Sequence, residues 1–120
     1  MSTPSLLDFD TRKSLLFALT AERLSAFYEH GQWLTEAQGA TLAGLWLSRS
    51  KMRLELAERR QLSDLSDQLA RSIASSLSRE AGLYTAHEMM EALDPNYRSD
   101  AVFDLLDECA RLLHAQGVSD

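Results

Sequence analysis

The sequence predicts an all-α protein, a single-domain bundle of four to five helices with one long central helix. Only two prolines, Pro4 and Pro95, and five glycines interrupt the chain, and most other residues are good helix formers. Apolar residues recur at spacings of three and four, and no segment alternates long enough to form a strand. A chain of 120 residues is about the size of one domain, so we expect a single helical domain over residues 1–120.

The first helix is predicted to begin at Asp8 or Asp10, either of which can cap its exposed amides. It is predicted to end at Gly31, because glycine readily adopts the left-handed backbone conformation that closes a helix. Its apolar face carries Leu15, Leu16, Leu19, Leu24 and Phe27, while Arg12, Lys13, Glu22 and Arg23 are expected to reach water. Residues 1–9 form an apolar arm with Leu6, Leu7 and Phe9. The arm either folds back on the core or is donated to a partner.

The second helix is predicted to be the long one, from Thr35 to Arg60. Thr35 and Gln38 have the spacing of a capping box, and no proline follows within the segment. At 1.5 Å per residue this helix would be about 35–40 Å long. Its main stripe consists of Leu42, Leu45, Trp46, Arg49, Met52 and Leu56, whereas Leu47 and Leu54 lie on another side. Glu55 and Glu58 are interleaved with the basic residues at its end, which predicts ion pairs within the helix.

Two shorter helices are predicted next. The third helix begins at Ser63 and runs to Gly82, unless it simply continues the second. Thr85 and Glu88 have capping-box spacing and open the fourth helix, which ends at the Asp-Pro pair 94–95.

The last helix is predicted to begin at Ser99 and Asp100 and to stop near Gly117. It carries a wide apolar face that includes Cys109. Because Cys109 is the only cysteine, no intramolecular disulfide can form. We expect a buried, inert thiol.

Composition and charge exclude several classes of protein. The formal net charge of −6 disfavours nucleic-acid binding, which depends largely on basic side chains. The start of the chain lacks the features of a signal peptide, and no apolar run is long enough to span a membrane. We therefore expect a cytoplasmic protein that binds no membrane.

No motif for catalysis, a cofactor or a metal is present. His87 and Glu88 begin like the zinc-binding sequence HExxH, but Glu91 stands where the second histidine is required. His30 and His114 lie on other predicted helices. Neither a glycine-rich phosphate loop nor a GxSxG nucleophile motif occurs. The sequence predicts a protein that is not an enzyme and takes no cofactor.

Surplus apolar surface predicts association with another protein. The candidate partner or dimer interface consists of Trp46, Leu47, Leu54, Val102, Phe103 and Leu106. Acidic residues of the last helix, among them Asp104 and Asp107, are expected to steer a more basic partner. The small residues of GATLAG, 39–44, let a second helix approach closely. We also expect a homodimer whose contacts include the second or last helix.

The segments GLWLSRSKMRLELAERR and VFDLLDECARLLHAQG, together with the helical register, resemble the small bacterial antiactivators related to QslA, which act on LuxR-type quorum-sensing regulators. The resemblance implies sequestration of a transcriptional regulator through its ligand-binding domain. It implies neither enzyme activity nor a cofactor, and it assigns no role to an individual residue.

Two other functions are compatible with a small acidic helical chain. One is a chaperone for secretion or flagellar export. The other is a DNA-binding regulator, because residues 85–113 have the length and rhythm of a helix-turn-helix. The acidic residues near the start of its second helix would oppose contact with phosphates.

Overall fold

The computed structural model describes residues 9–49, 56–93 and 100–117, which contain five helices and no strand. The helices are α1 (Phe9–His30), α2 (Glu36–Arg49), α3 (Leu56–Ser75), α4 (Arg79–Glu91) and α5 (Asp100–Ala115). The radius of gyration is 13.8 Å, close to the value of about 14 Å expected for a compact chain of this length. The predicted all-α, single-domain bundle is confirmed.

The long central helix is α1, not the segment that the sequence suggested. Helices α3, α4 and α5 all pack against it, and α2 packs mainly against α3. Every residue from Leu15 to Ala21 is buried, including Thr20, whose hydroxyl donates to the Leu16 carbonyl. A helical segment that is buried on every side must be surrounded by other helices.

Two arginines of α1 are buried, although we expected them to reach water. Arg12 donates to Glu58 at 2.6 Å, and Arg23 is held by hydroxyl and carboxylate groups of α3. Burial of a guanidinium requires charged or polar partners, and α3 supplies them along the whole length of α1. The expectation that Arg12 and Arg23 reach water was wrong because α3 covers the side of α1 on which both arginines lie.

A single helix from Thr35 to Arg60 is excluded by the packing of α2 beside α3. A Cβ at position 39 would lie 3.2 Å from Ser63 Oγ, whereas a straight helix would separate these positions by about 36 Å. The two helices are therefore neighbours in the bundle. Residues 50–55 lie outside the described part of the chain, and with them the predicted stripe positions there.

The predicted start of α2 and the predicted stops at two glycines are confirmed. The Thr35 N–H donates to Gln38 Oε1 at 2.9 Å, and the Gln38 N–H donates to Thr35 Oγ1 at 3.1 Å, as a capping box requires. Gly31 has φ +76° and Gly117 has φ +85°. Left-handed backbone of this kind closes a helix and favours glycine.

The boundary between α3 and α4 differs from the prediction. Ser63 lies inside α3, and α4 begins after Ser78, whose Oγ accepts from the Ala81 N–H at 3.3 Å. Thr85 is therefore an interior residue of α4 and not a cap. The Ser63 hydroxyl is occupied by a hydrogen bond from Arg23, so tertiary contact overrides its capping tendency.

Gly82 also lies inside α4, where its lack of a side chain is required. A Cβ at this position would overlap the ring of Tyr28 on α1. The close approach explains why a residue that weakens a helix is placed in the middle of one.

The predicted apolar arm is shorter than expected. Phe9 belongs to α1, packs against the core and stacks on His114 with ring centroids 4.6 Å apart. This contact ties the start of α1 to the end of α5. The remainder of the arm, including Leu6 and Leu7, lies outside the described residues.

Candidate protein-binding surfaces

The predicted interface residues of α2 are mostly packing residues. Leu47 is only 5% exposed and belongs to the core, so its placement off the core stripe was wrong. Trp46 is half-buried, packs on the core and donates through Nε1 to Glu22 Oε2 at 3.1 Å. Leu45, which we placed on the inner stripe, is instead 52% exposed. The inner face of α2 is centred on Ala43 and Leu47.

The predicted interface residues of α5 differ from one another in exposure. Phe103 is 50% exposed, as a partner contact requires, and Leu106 is partly buried against the core. The side chain of Val102 and the whole of Leu54 lie outside the described part. Of the candidates that the structure describes, Phe103 presents the most accessible apolar area.

Phe103, Asp104 and Asp107 together form what we call the α5 surface. Positions 103 and 107 are one helical turn apart and therefore adjacent, and all three residues are exposed. On the opposite side of α5, Cys109 and Leu113 are fully buried, which fixes the helix on the core. Neither aspartate makes an ion pair with another described residue. The result is an accessible aromatic ring beside two carboxylates that have no ion pair among the described residues.

An ion pair borders the α5 surface. Arg111 Nε donates to Glu108 Oε1 at 2.9 Å, and this hydrogen bond lowers the pKa of Glu108. The arginine is therefore neutralised locally, and the surface stays acidic beside it.

Helix α4 exposes a second aromatic side chain. Tyr84 is 68% exposed, and its hydrogen bond to Glu88 raises the pKa of its hydroxyl. Tyr84 thus resembles Phe103 in size and exposure, but it lies on another helix. It provides a matched control for substitutions in the α5 surface.

Helices α2 and α3 enclose a groove of about 460 Å³, which we call the α2–α3 groove. Its lining residues are Glu36, Ala37, Ala40, Ala43, Leu56, Arg59, Arg60, Ser63 and Asp64. Leu56 is 54% exposed at one end. Glu58, for which we predicted an ion pair within its own helix, binds Arg12 of α1, and the other predicted glutamate, Glu55, lies outside the described residues. Arg59 and Arg60 make no ion pair with another described residue.

The polar cluster around Arg23 was not predicted. Arg23 donates to Ser66 Oγ and Ser63 Oγ, both at 2.8 Å, and to Asp67 Oδ1 at 3.4 Å. Burial lowers the pKa of Arg23, and the charges of Asp67 and Asp64 act in the opposite direction. The spacing of the α3 partners, three and four residues, was the available signal. Each of the three guanidinium nitrogens has a partner, so the cluster is structural.

The Arg23 cluster continues into an aromatic stack. Asp67 also accepts from Arg71 at 3.0 Å, and the Arg71 guanidinium lies 4.9 Å from the centre of the Trp33 ring. Trp33 in turn stacks on Phe27, with centroids 4.0 Å apart. These contacts hold the loop before α2 against α1 and α3 and explain the partial burial of Trp33.

The described ranges contain no group of three histidine, cysteine or carboxylate side chains that could hold a metal ion. His87 Nε2 lies 3.3 Å from Glu91 Oε1 in the next helical turn. Within the same ranges, no helix is both long enough and apolar enough to cross a membrane.

Comparison with known proteins finds no matching family model, no matching curated protein and no matching solved structure. The class of protein therefore rests on fold and surface alone: a single-domain helical bundle with an exposed aromatic ring and acidic residues on α5 and a groove between α2 and α3.

Proposed function

We propose that this protein is a non-enzymatic antiactivator, which binds a transcriptional regulator through the α5 surface and inhibits it. The observation that carries the proposal is the half-exposed ring of Phe103 on the same side of α5 as the exposed residues Asp104 and Asp107. The resemblance to quorum-sensing antiactivators supports a LuxR-type regulator as the partner.

The α5 surface has the composition of a hot spot in a protein–protein interface. Aromatic side chains bury a large area with few rotamers to freeze, and they dominate the binding free energy of many complexes. Carboxylates around such a ring accelerate encounter with a basic surface and discriminate against acidic ones. A regulator that uses a basic, apolar surface for dimerisation or DNA contact would be inhibited by simple occlusion.

Affinity purification from the source organism, with three versions of the protein, tests the proposal. We expect wild type and Tyr84→Ala to retain one transcriptional regulator in near-stoichiometric amount, as identified by mass spectrometry. Phe103→Ala should lose it, because removal of a central aromatic residue costs about 2 kcal/mol or more of binding free energy, roughly a thirtyfold change in Kd. Equal recovery with Phe103→Ala would contradict the proposed surface.

The same experiment separates the alternatives. A secreted or flagellar protein in place of a regulator would favour the export chaperone. A DNA-binding role has less support, because α4 and α5 pack chiefly on α1 and the exposed residues Asp104 and Asp107 would oppose contact with phosphates.

A further inference from the structure

The α5 surface and the α2–α3 groove are complementary in both charge and polarity. The α5 surface presents Phe103 with two carboxylates that have no ion pair among the described residues. The groove presents Leu56 with two guanidinium groups, those of Arg59 and Arg60, that have none either. Leu56 and the two guanidinium groups of the groove therefore complement Phe103 and the two carboxylates of the α5 surface.

The groove as a whole has no net formal charge, because Glu36 and Asp64 balance Arg59 and Arg60. Its end beside Leu56 is locally basic, since Arg59 and Arg60 lie within about one helical turn of Leu56 on α3. Glu36 is in the first turn of α2, where the positive end of the helix stabilises an anion. Asp64 lies close enough to Arg23 for its charge to act on that guanidinium. Arg59 Nε is buried and has no acceptor within the described residues. A buried donor without an acceptor is unfavourable. A carboxylate that draws the Arg59 side chain outward would relieve this cost.

We propose that the occupant of the α2–α3 groove is the α5 surface of a second copy of this chain. In this arrangement the Phe103 ring covers Leu56, and Asp104 and Asp107 face Arg59 and Arg60. In the proposed arrangement a two-fold axis relates the two copies, so that the groove of each protomer takes the α5 surface of the other. The contact closes as a homodimer, which unites the predicted involvement of the second and the last helix.

The homodimer covers the surface that we assign to the regulator. Only a protomer that has left the dimer presents Phe103, so self-association and regulator binding compete. This regulatory consequence rests on the proposed function, whereas the self-association does not. The two are measured separately, the first with the purified protein alone.

Reciprocal charge reversal tests the interface. One variant carries Arg59→Glu and Arg60→Glu, and the other carries Asp104→Arg and Asp107→Arg. Sedimentation equilibrium should show a dimer for wild type and for the Tyr84→Ala control, and each double variant should dimerise at least about tenfold more weakly. An equimolar mixture of the two double variants should regain the dimer, because both contacts in the mixed pair are again complementary.

The mixture also controls for folding, since misfolded variants cannot restore a specific dimer. The proposal is overturned if wild type stays monomeric at about 100 μM, where even weak association is visible. It is also overturned if either double variant dimerises as wild type does, or if the mixture stays monomeric although each variant unfolds cooperatively. Failure of the regulator to bind in the affinity experiment would leave these outcomes unchanged.

Discussion

Cys109 shows how completely α5 is packed on the core. Its side chain has no exposed area, and burial raises the pKa of the thiol to about 12, with a smaller contribution from the charge of Glu108. The predicted burial of this thiol is confirmed. The thiol stays protonated in the folded protein at pH values where an exposed thiol, with a pKa of about 8.5, is ionised.

This difference predicts a specific loss of stability in alkali. Above about pH 9 the unfolded chain has lost the Cys109 proton and the folded chain has kept it until its own pKa of about 12. The unfolded state then binds fewer protons, so the free energy of unfolding falls by about 1.4 kcal/mol per pH unit through this residue. Below the unfolded pKa the contribution is complete and constant.

Urea unfolding of wild type and Cys109→Ala at pH 7.5, 9 and 10 measures the effect. The alanine variant has a cavity, but its cost does not depend on pH. We expect the stability advantage of wild type to shrink by about 1 kcal/mol between pH 9 and 10. An advantage that is the same at all three pH values would show that the thiol is not protected from ionisation.

At the scale of the element, α2 contains two glycines with opposite roles. A Cβ at Gly39 would overlap the Arg23 guanidinium, whereas a Cβ at Gly44 meets no atom within 4 Å. Arg23 cannot move aside without breaking its hydrogen bond to Ser63. Gly39 is therefore required by packing, and Gly44 only weakens the helix.

The two alanine substitutions should change stability in opposite directions. Gly44→Ala is expected to raise the free energy of unfolding by about 0.5–1 kcal/mol through helix propensity. Gly39→Ala should lower it by about 1–2 kcal/mol, because a buried hydrogen bond to a charged group is lost. Chemical denaturation at one protein concentration measures both.

An Arg23→Met background provides the control. Without the guanidinium, Gly39→Ala should become stabilising, as Gly44→Ala is in wild type. If the Gly39→Ala variant is already more stable than wild type in the presence of Arg23, the Arg23 side chain does not require a glycine at position 39.

The helices themselves show what local sequence can and cannot specify. The Thr35–Gln38 capping box and the glycines at 31 and 117 were predicted correctly, because each acts through hydrogen bonds or backbone angles within a few residues. Ser63 was predicted as a cap but lies inside α3. There its hydroxyl accepts a hydrogen bond from Arg23, a contact that spans 40 residues and cannot be inferred from local sequence.

The candidate surfaces depended on tertiary structure to different degrees. Phe103 was predicted because the apolar residues of α5 exceed what one buried face needs. The groove was not predicted, since it exists only when α2 lies beside α3. Arg59 and Arg60 were expected to pair with glutamates on their own helix. The buried Arg12 binds one of those glutamates, Glu58, and this contact cannot be inferred from spacing.

At the scale of the whole molecule, the net charge of −6 is unevenly distributed. In our proposal the acidic α5 surface associates either with Arg59 and Arg60 of a second copy or with a basic partner. Because exposed charges are screened by salt, both associations should weaken as ionic strength rises. The relative concentrations of the protein and its regulator then determine which complex forms.

The measurement that tests antiactivation most directly is a titration of this protein into a complex of the purified regulator and its labelled promoter DNA, followed by fluorescence anisotropy. We predict that wild type releases the DNA, that Arg59→Glu with Arg60→Glu releases it at lower concentration because the α5 surface is free, and that Phe103→Ala does not release it. DNA that stays bound at saturating wild type, or that Phe103→Ala releases equally well, would contradict inhibition through the α5 surface.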